Sequence, residues 1–244
     1  MAKEIRYLPS GDCALTVEFG DRVDRALSAR AMALRRALER GAREGVIEGV
    51  IETVPTFRSL MVHYDPLIIS GARLRAEIEA LEIDDSEDEA ASRTVTLPVV
   101  YGGEHGPDLE DVAKAGGVTP AEAVKLHSEI THYVYMMGFA PGHPYLGDLP
   151  RELTLPRRET PRTRIPAGTV AIAVGQTVIY PFESPGGWSA IGRTPAVLFD
   201  IRTDPPSLLR AGDHVRFRPI EAKEYDDLAA RPPAERVEID GDGA

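Results

Sequence analysis

A chain of 244 residues, 43% hydrophobic and 27% charged, carries enough apolar side chain for one large or two small cores. Its formal net charge of -11 argues against a duplex nucleic-acid binder, whose affinity comes from cationic side chains that neutralise phosphates. The lone cysteine, Cys13, cannot close an internal disulfide, and no window approaches the ~20 apolar residues of a membrane span, so a reducing, cytoplasmic setting is expected.

EIRYL and CALTVEF flank the turn Pro9-Ser10-Gly11-Asp12 and read as strand, turn, strand, with Cys13 as a small buried residue at the start of the second strand. Leu27, Ala31, Leu34 and Leu38 then recur at four- and three-residue steps, the spacing of one helix face, with Gly41 as its stop. Two apolar strands follow, around Val46–Val54 and Leu60–Tyr64, and a short helix aligns Leu74, Ile78 and Leu81. Two helices and about four strands make a small α+β sandwich, expected over residues 1–83. Six carboxylates between Glu82 and Glu89 repel one another and bury almost nothing, so 84–93 reads as an acidic linker.

Beyond it, TVTLPVVY reads as a strand, and PDLEDVAKAGG as a short helix with Asp108 as N-cap. Thr119-Pro120-Ala121-Glu122 supplies an N-cap, a proline at N1 and a glutamate at N3, a capping box that opens a second helix. From His132 on, short strands dominate: HYVYMMGF, TVAIAV and TVIYPF (separated by Gly175-Gln176), VLFD and HVRFRPI. Their near-regular spacing with glycine or proline between them points to a β-barrel or sandwich over 94–220. Residues 221–244 are charged, contain Pro232-Pro233, and read as a loosely ordered tail.

There is no phosphate-binding P-loop, no G-x-G-x-x-G after a strand, no G-x-S-x-G elbow and no H-E-x-x-H, so nothing in the sequence names a catalytic residue or a metal site. What stands out is a set of polar loops in the second half. Tyr101 to Asp108 gathers Glu104, His105 and Asp108; Asp108 reads as a helix cap, and Glu104 as either a solvated residue or an anchor. Arg162 and Arg164, two apart, share one face of a strand, where they fit either carboxylate or phosphate recognition or the protection of an exposed edge. YPFESPGGWSAIGRTP brings Glu183, Trp188 and Arg193 around a Pro-Gly-Gly turn, a mixture that suits a small-molecule pocket as well as a core tryptophan. GFAPGHPYLGDLP holds three glycines and three prolines yet exposes Phe139, Tyr145 and Leu146, a stiff apolar loop that either rims a pocket or plugs the barrel end.

Seven ordered blocks, GDCALTVEFGD, VPTFRSLMVHYDP, YGGEHGPDLEDVA, LHSEITHYVYMMGFAPGHPYLG, TPRTRIPAGTVAIAVGQTVIYP, ESPGGWSAIGRTP and GDHVRFRPI, resemble the family variously called the 5-oxoprolinase B subunit, allophanate hydrolase subunit 1 and KipI. The resemblance covers roughly residues 4–220. It implies an α+β chain, a ferredoxin-like N-terminal domain followed by a cyclophilin-like β-barrel. It also implies work with the A and C components of a 5-oxoprolinase, which together open 5-oxo-L-proline to glutamate at the expense of ATP. Alternatives within the same resemblance are a KipI-type inhibitor of a sensor histidine kinase and a carboxyltransferase-like part of a urea carboxylase or allophanate hydrolase system. The matching blocks nominate Tyr101, Glu104, Phe139, His143, Arg162, Arg164, Gln176, Glu183, Trp188 and Arg193 as substrate-binding residues. The family's loop reads more like GFAPGFPYLGGL, so His143 and Asp148 are departures that place titratable groups where an aromatic ring and a glycine are expected.

Overall fold

The computed structural model describes residues 5–81 and 93–241. The chain divides into two compact units, Met1–Ala91 and Ser92–Ala244. The expected acidic linker at 84–93 lies outside the described residues except for Arg93.

In the first unit the elements are β1 (Arg6–Pro9), β2 (Ala14–Glu18), α1 (Arg25–Arg43), β3 (Val50–Pro55), β4 (Ser59–Tyr64) and α2 (Gly71–Ala80). The strands form one antiparallel sheet in the order β1-β2-β4-β3. From β2 onward this is the ferredoxin-like split β-α-β pattern, except that the edge beside β2 is filled by the N-terminal β1 rather than by a strand after α2. Leu34, Leu38, Leu74 and Ile78 from the two helices meet Leu15, Val17, Leu60 and Val62 from the central strands in one core. Asp24 caps α1 by accepting from the Ala26 N–H at 2.9 Å. The helix runs past Gly41, the expected stop, because Gly41 is buried and its missing side chain makes room for Ile47. Cys13, expected to be buried, is exposed in the turn before β2.

The second unit contains β5 (Thr94–Tyr101), α3 (Leu109–Gly116), α4 (Pro120–Ser128), β6 (His132–Met137), β7 (Pro144–Gly147), β8 (Arg162–Ile165), β9 (Thr169–Ala173), β10 (Gln176–Ile179), β11 (Ser184–Gly186), β12 (Ser189–Arg193), β13 (His214–Pro219), α5 (Ala222–Ala229) and β14 (Glu238–Asp240). Strands run in the order β12-β9-β10-β7-β6-β13-β5, and β5 pairs back onto β12, so seven of them close a barrel. The β13–β5 pair is parallel, His214 opposite Thr94 through Pro219 opposite Val99; the other barrel pairings are antiparallel. The Thr119–Glu122 capping box forms as the sequence requires, with Thr119 Oγ1 accepting from the Glu122 N–H and the Glu122 carboxylate accepting from the Thr119 N–H.

Alternation sorts the barrel strands. Val170 and Ile172 of β9 join Leu97, Val134, Leu146 and Ile191 in the main core. Ala171 and Ala173 point the other way, into a second cluster with Ile165, Val178, Tyr180 and Trp188. The short β8–β11 pair covers that outer face, which is why TVAIA is buried at every position rather than at alternate ones. The β9–β10 turn is Val174-Gly175, both at positive φ (47° and 76°), one residue earlier than Gly175-Gln176. The expected strand VLFD reduces to a single bridge between Phe199 and Ser207.

Residues 221–241 are not a loose tail. After α5 the chain forms β14, which pairs with the N-terminal end of β5, Ile239 opposite Val95. Leu228 of α5 buries against Val100 and Ile220. The charged sequence hid this because each element needs only one or two apolar anchors. No described helix is long and apolar enough to cross a membrane.

Candidate functional site

The opening of the loop 138–150 is set by backbone geometry. Phe139 has φ 67° and Asp148 φ 71°, a left-handed conformation that glycine holds freely and other side chains adopt at a cost. Asp148 thus occupies a position whose geometry explains the glycine expected there, and it accepts a 2.8 Å hydrogen bond from Tyr135 Oη. Gly142 allows the loop to lie against Phe199, since a Cβ there would stand 2.6 Å from the Phe199 Cβ. Phe139 is left 65% exposed, while His143 is folded inward to 3%. The loop is therefore rim at Phe139 and plug at His143.

His143 sits among rings. Its centroid lies 5.3 Å from Phe139, 5.0 Å from Tyr145 and 5.3 Å from Tyr180. Nδ1 is buried without a hydrogen-bond partner. Burial pushes the imidazole down to about 4, so it is neutral at pH 7. Burial also pushes the Tyr180 hydroxyl up to about 12, with the neighbouring Tyr145 adding to the shift. The aromatic series continues from Tyr145 to Trp188, 6.1 Å between centroids, and the Arg157 guanidinium lies 5.4 Å from the Trp188 ring.

Beside Trp188 the chain brings together charges that lie far apart in sequence. Asp108 is 3% exposed and receives Arg158 Nη1 at 2.8 Å, Arg162 Nη1 at 2.6 Å and Nη2 at 2.8 Å, and the Ala190 N–H at 2.7 Å. Burial alone raises the Asp108 carboxyl, but the Arg162 hydrogen bonds, the Ala190 N–H and the charges of Arg162 and Arg158 outweigh it and hold the group below its ordinary value. Asp108 makes no side-chain cap to α3, so its expected role as an N-cap is replaced by that of a buried hub. The hub ties the 158–162 segment to β12.

The ten nominated residues do not converge. Phe139, His143 and Trp188 belong to the aromatic series, and Arg162 to the Asp108 hub. Arg164 instead pairs with Glu183 through Nε and Nη2, both at 2.9 Å, in a well-exposed ion pair across the β8–β11 flap. Arg193 donates from Nε to the Ala167 carbonyl at 2.8 Å. Trp188 precedes β12 and Arg193 ends it, Arg162 lies on β8, and each engages a different partner. Gln176 begins β10, at the far end of that strand from Tyr180. Tyr101 and Glu104 line a separate concavity of about 440 Å³ with Gly102, Gly103, His105 and Ile220. Tyr101 Oη is 2.8 Å from His127 Nδ1, and His127 Nε2 is 3.0 Å from Thr177 Oγ1. A hydroxyl on each ring nitrogen suits a neutral imidazole, and burial, with His132 nearby, holds His127 well below its ordinary value. Glu104 is 89% exposed on its side chain and only 3.8 Å from His105 Nε2.

Sequence reasoning missed Arg157 and Arg158 and undervalued Asp108. The one available signal was the density of arginines in PRRETPRTR beside a proline-fixed segment; nothing in it names a carboxylate 50 residues upstream.

Known proteins bear on this arrangement. The family model described as carboxyltransferase domain, subdomain C and D, matches residues 5–209. The 5-oxoprolinase B subunit of Bacillus subtilis (strain 168) is 41% identical over 226 residues, 88% of this chain and 92% of that one. Among solved structures, TTHA0988 superposes with a TM-score of 0.75 at 36% identity, over 86% of this chain and 40% of its own. The Kluyveromyces lactis urea carboxylase shares the fold, with a TM-score of 0.76 at 20% identity over 98% of this chain and 24% of that one. Model, relative and fold agree with the sequence blocks: the chain belongs to the carboxyltransferase-domain, subdomain C and D, family and, within it, to the B-type 5-oxoprolinase subunits.

Proposed function

We propose that this chain is the B subunit of an ATP-dependent 5-oxoprolinase, a cytoplasmic hetero-oligomer in which it works with the A and C subunits to hydrolyse 5-oxo-L-proline to L-glutamate, and that it is inactive alone. The observation that carries the reading is the 41% identity to the Bacillus subtilis B subunit across 92% of that protein's length. The chemistry fits a divided enzyme. A lactam carbonyl is a poor electrophile, and phosphorylating its oxygen creates a leaving group before water attacks; the charge that develops must be met by fixed donors. Of the three arginines nominated for substrate binding, Arg164 is committed to Glu183, Arg162 to Asp108 and Arg193, through Nε, to the Ala167 carbonyl, which favours the partner proteins as the source of donors for that charge. The likeness to urea carboxylase at 20% identity extends to fold alone.

Purified chain, the A and C subunits, and the three together are assayed for glutamate release from 5-oxoproline with ATP. Release is expected only from the full mixture. Turnover by the isolated chain, or none from the mixture, refutes the reading.

A further inference from the structure

β5 and β13 run parallel, so the chain leaves both strands at the same end of the barrel. The segments that follow them, 102–105 after β5 and 220–222 after β13, bound the cavity of about 440 Å³, with Val124 of α4 as a further wall. Val100, Val124 and Ile220 give it an apolar lining. Two aromatic members of the lining are held in place: Tyr101 by the 2.8 Å contact of its hydroxyl with His127 Nδ1, and His105 by the Tyr225 ring, 4.9 Å between centroids.

The charge of this cavity is one-sided. Glu104 and Glu221 line it, and no lysine or arginine does. Neither carboxylate is paired with a lysine or arginine among the described residues. Glu104 has only His105 Nε2, at 3.8 Å, and Glu221 stands at the N-cap of α5 without making a side-chain cap. Cations on the neighbouring elements are already committed, Arg218 to Glu224 at 2.8 Å and Lys125 to Glu129 at 3.9 Å. Two unneutralised carboxylates beside an apolar wall favour a cation with an apolar stem. The rim admits another main chain as well. A Cβ at Gly103 would meet nothing within 4 Å, and the N–H groups of Gly103, Glu104 and His105 donate to no backbone acceptor among the described residues.

We propose that this cavity is a socket for one arginine side chain of a partner subunit. The guanidinium is met by Glu104 and Glu221, its stem lies against Val124 and Ile220, and the partner's main chain comes up to the glycine rim. Arginine is favoured over lysine because a planar guanidinium stacks on rings and offers separate edges to two carboxylates, whereas an ammonium is a compact, strongly hydrated charge. Arginine is also enriched at protein interfaces. A net charge of -11 on this chain steers a basic partner surface toward it. That the partner is the A or C subunit rests on the function proposed above; the acidity of the socket does not.

The full-length chain is titrated with N-acetyl-arginine amide and with N-acetyl-citrulline amide, which has nearly the same shape but no charge. The backbone amide resonances of Gly102 and Gly103, which line the cavity, report binding by NMR. A saturable shift is expected with the arginine probe and none with the citrulline probe. In parallel, the affinity of the chain for the A and C subunits is measured. Glu104→Gln combined with Glu221→Gln should weaken both the arginine probe and the subunit by about ten-fold, with the gap closing as salt is raised. Glu235→Gln combined with Glu238→Gln removes the same charge outside this cavity and should leave both affinities at the parent value. Equal responses to the two probes, no saturable shift at Gly102 and Gly103, or equal losses in the two double variants overturns the proposal. If the three-component mixture releases no glutamate while the arginine probe still depends on Glu104 and Glu221, the functional reading falls and the socket stands. If the mixture is active and the Glu104→Gln, Glu221→Gln chain binds the A and C subunits as the parent does, the socket falls and the functional reading stands.

Discussion

Replacing His143 by phenylalanine removes a buried ring nitrogen that has no partner and the only imidazole in its aromatic nest. Folding lowers the imidazole from an ordinary value of 6.5 to about 4. The unfolded chain therefore takes up the proton first, so this group's contribution is complete above about pH 6.5 and is lost as the pH falls toward 4. Linkage between those two values gives a loss on the order of 2 kcal/mol between pH 8 and pH 5, against almost none between pH 8 and pH 7. For a unit of this size that corresponds to a melting shift of about 4–8 °C. The assay is urea or thermal unfolding of parent and His143→Phe at pH 8, 7, 6 and 5. The variant should lose less stability than the parent as pH drops, with the gap opening below pH 6.5. His127 titrates in the same direction but is common to both proteins, so it cancels in the difference. Parallel pH profiles would show that His143 is not held neutral by burial, and the reasoning about the loop's inner half would fail. Comparing slopes rather than absolute values protects the test from any change in packing caused by the new ring.

Asp108→Ala strips the acceptor from Arg158, Arg162 and the Ala190 N–H together; a loss of about 2–4 kcal/mol is expected by urea unfolding, below the fully buried range because each arginine keeps a third of its surface in water. A loss under about 0.5 kcal/mol, that of a surface pair, would refute the hub. Val174→Asn should raise stability by about 1 kcal/mol, since a β-branched residue at φ 47° is strained in the β9–β10 turn, where Asn-Gly is preferred, and Val174 is half exposed; a lowered melting temperature contradicts this. Truncation after Ile220 removes Leu228 and the β14 partner of β5, so the melting temperature should fall by several degrees, roughly the effect of losing one buried leucine. A chain ending in a loose tail would melt unchanged.

Helical spacing placed the buried face of α1 and the positions of Leu74 and Ile78, and the Thr119–Glu122 box fixed the start of α4, because those signals are local: hydrogen bonds and contacts within four residues decide them. Alternation and punctuation likewise indicated a run of short strands after His132. Their closure was not legible. The β5 edge is shared by β12 at one end and β14 at the other, and the parallel β5–β13 pair joins residues about 120 apart; no local pattern encodes either. The same holds at the candidate site. Composition picked out Trp188, His143 and Arg162 as unusual, yet only the folded chain puts Arg158 and Arg162 on the carboxylate of Asp108 while sending Arg164 to Glu183.

By itself, then, the sequence determined the principal helices, the presence of a run of short strands after His132, and which family its blocks match, but not α5, β14 or the single bridge that replaces the VLFD strand. Tertiary structure alone decided which charges neutralise one another. A side chain's partner is set by what the fold brings within about 3 Å of it, and that distance depends on barrel closure, strand register and the flap over β9, all of which are long-range.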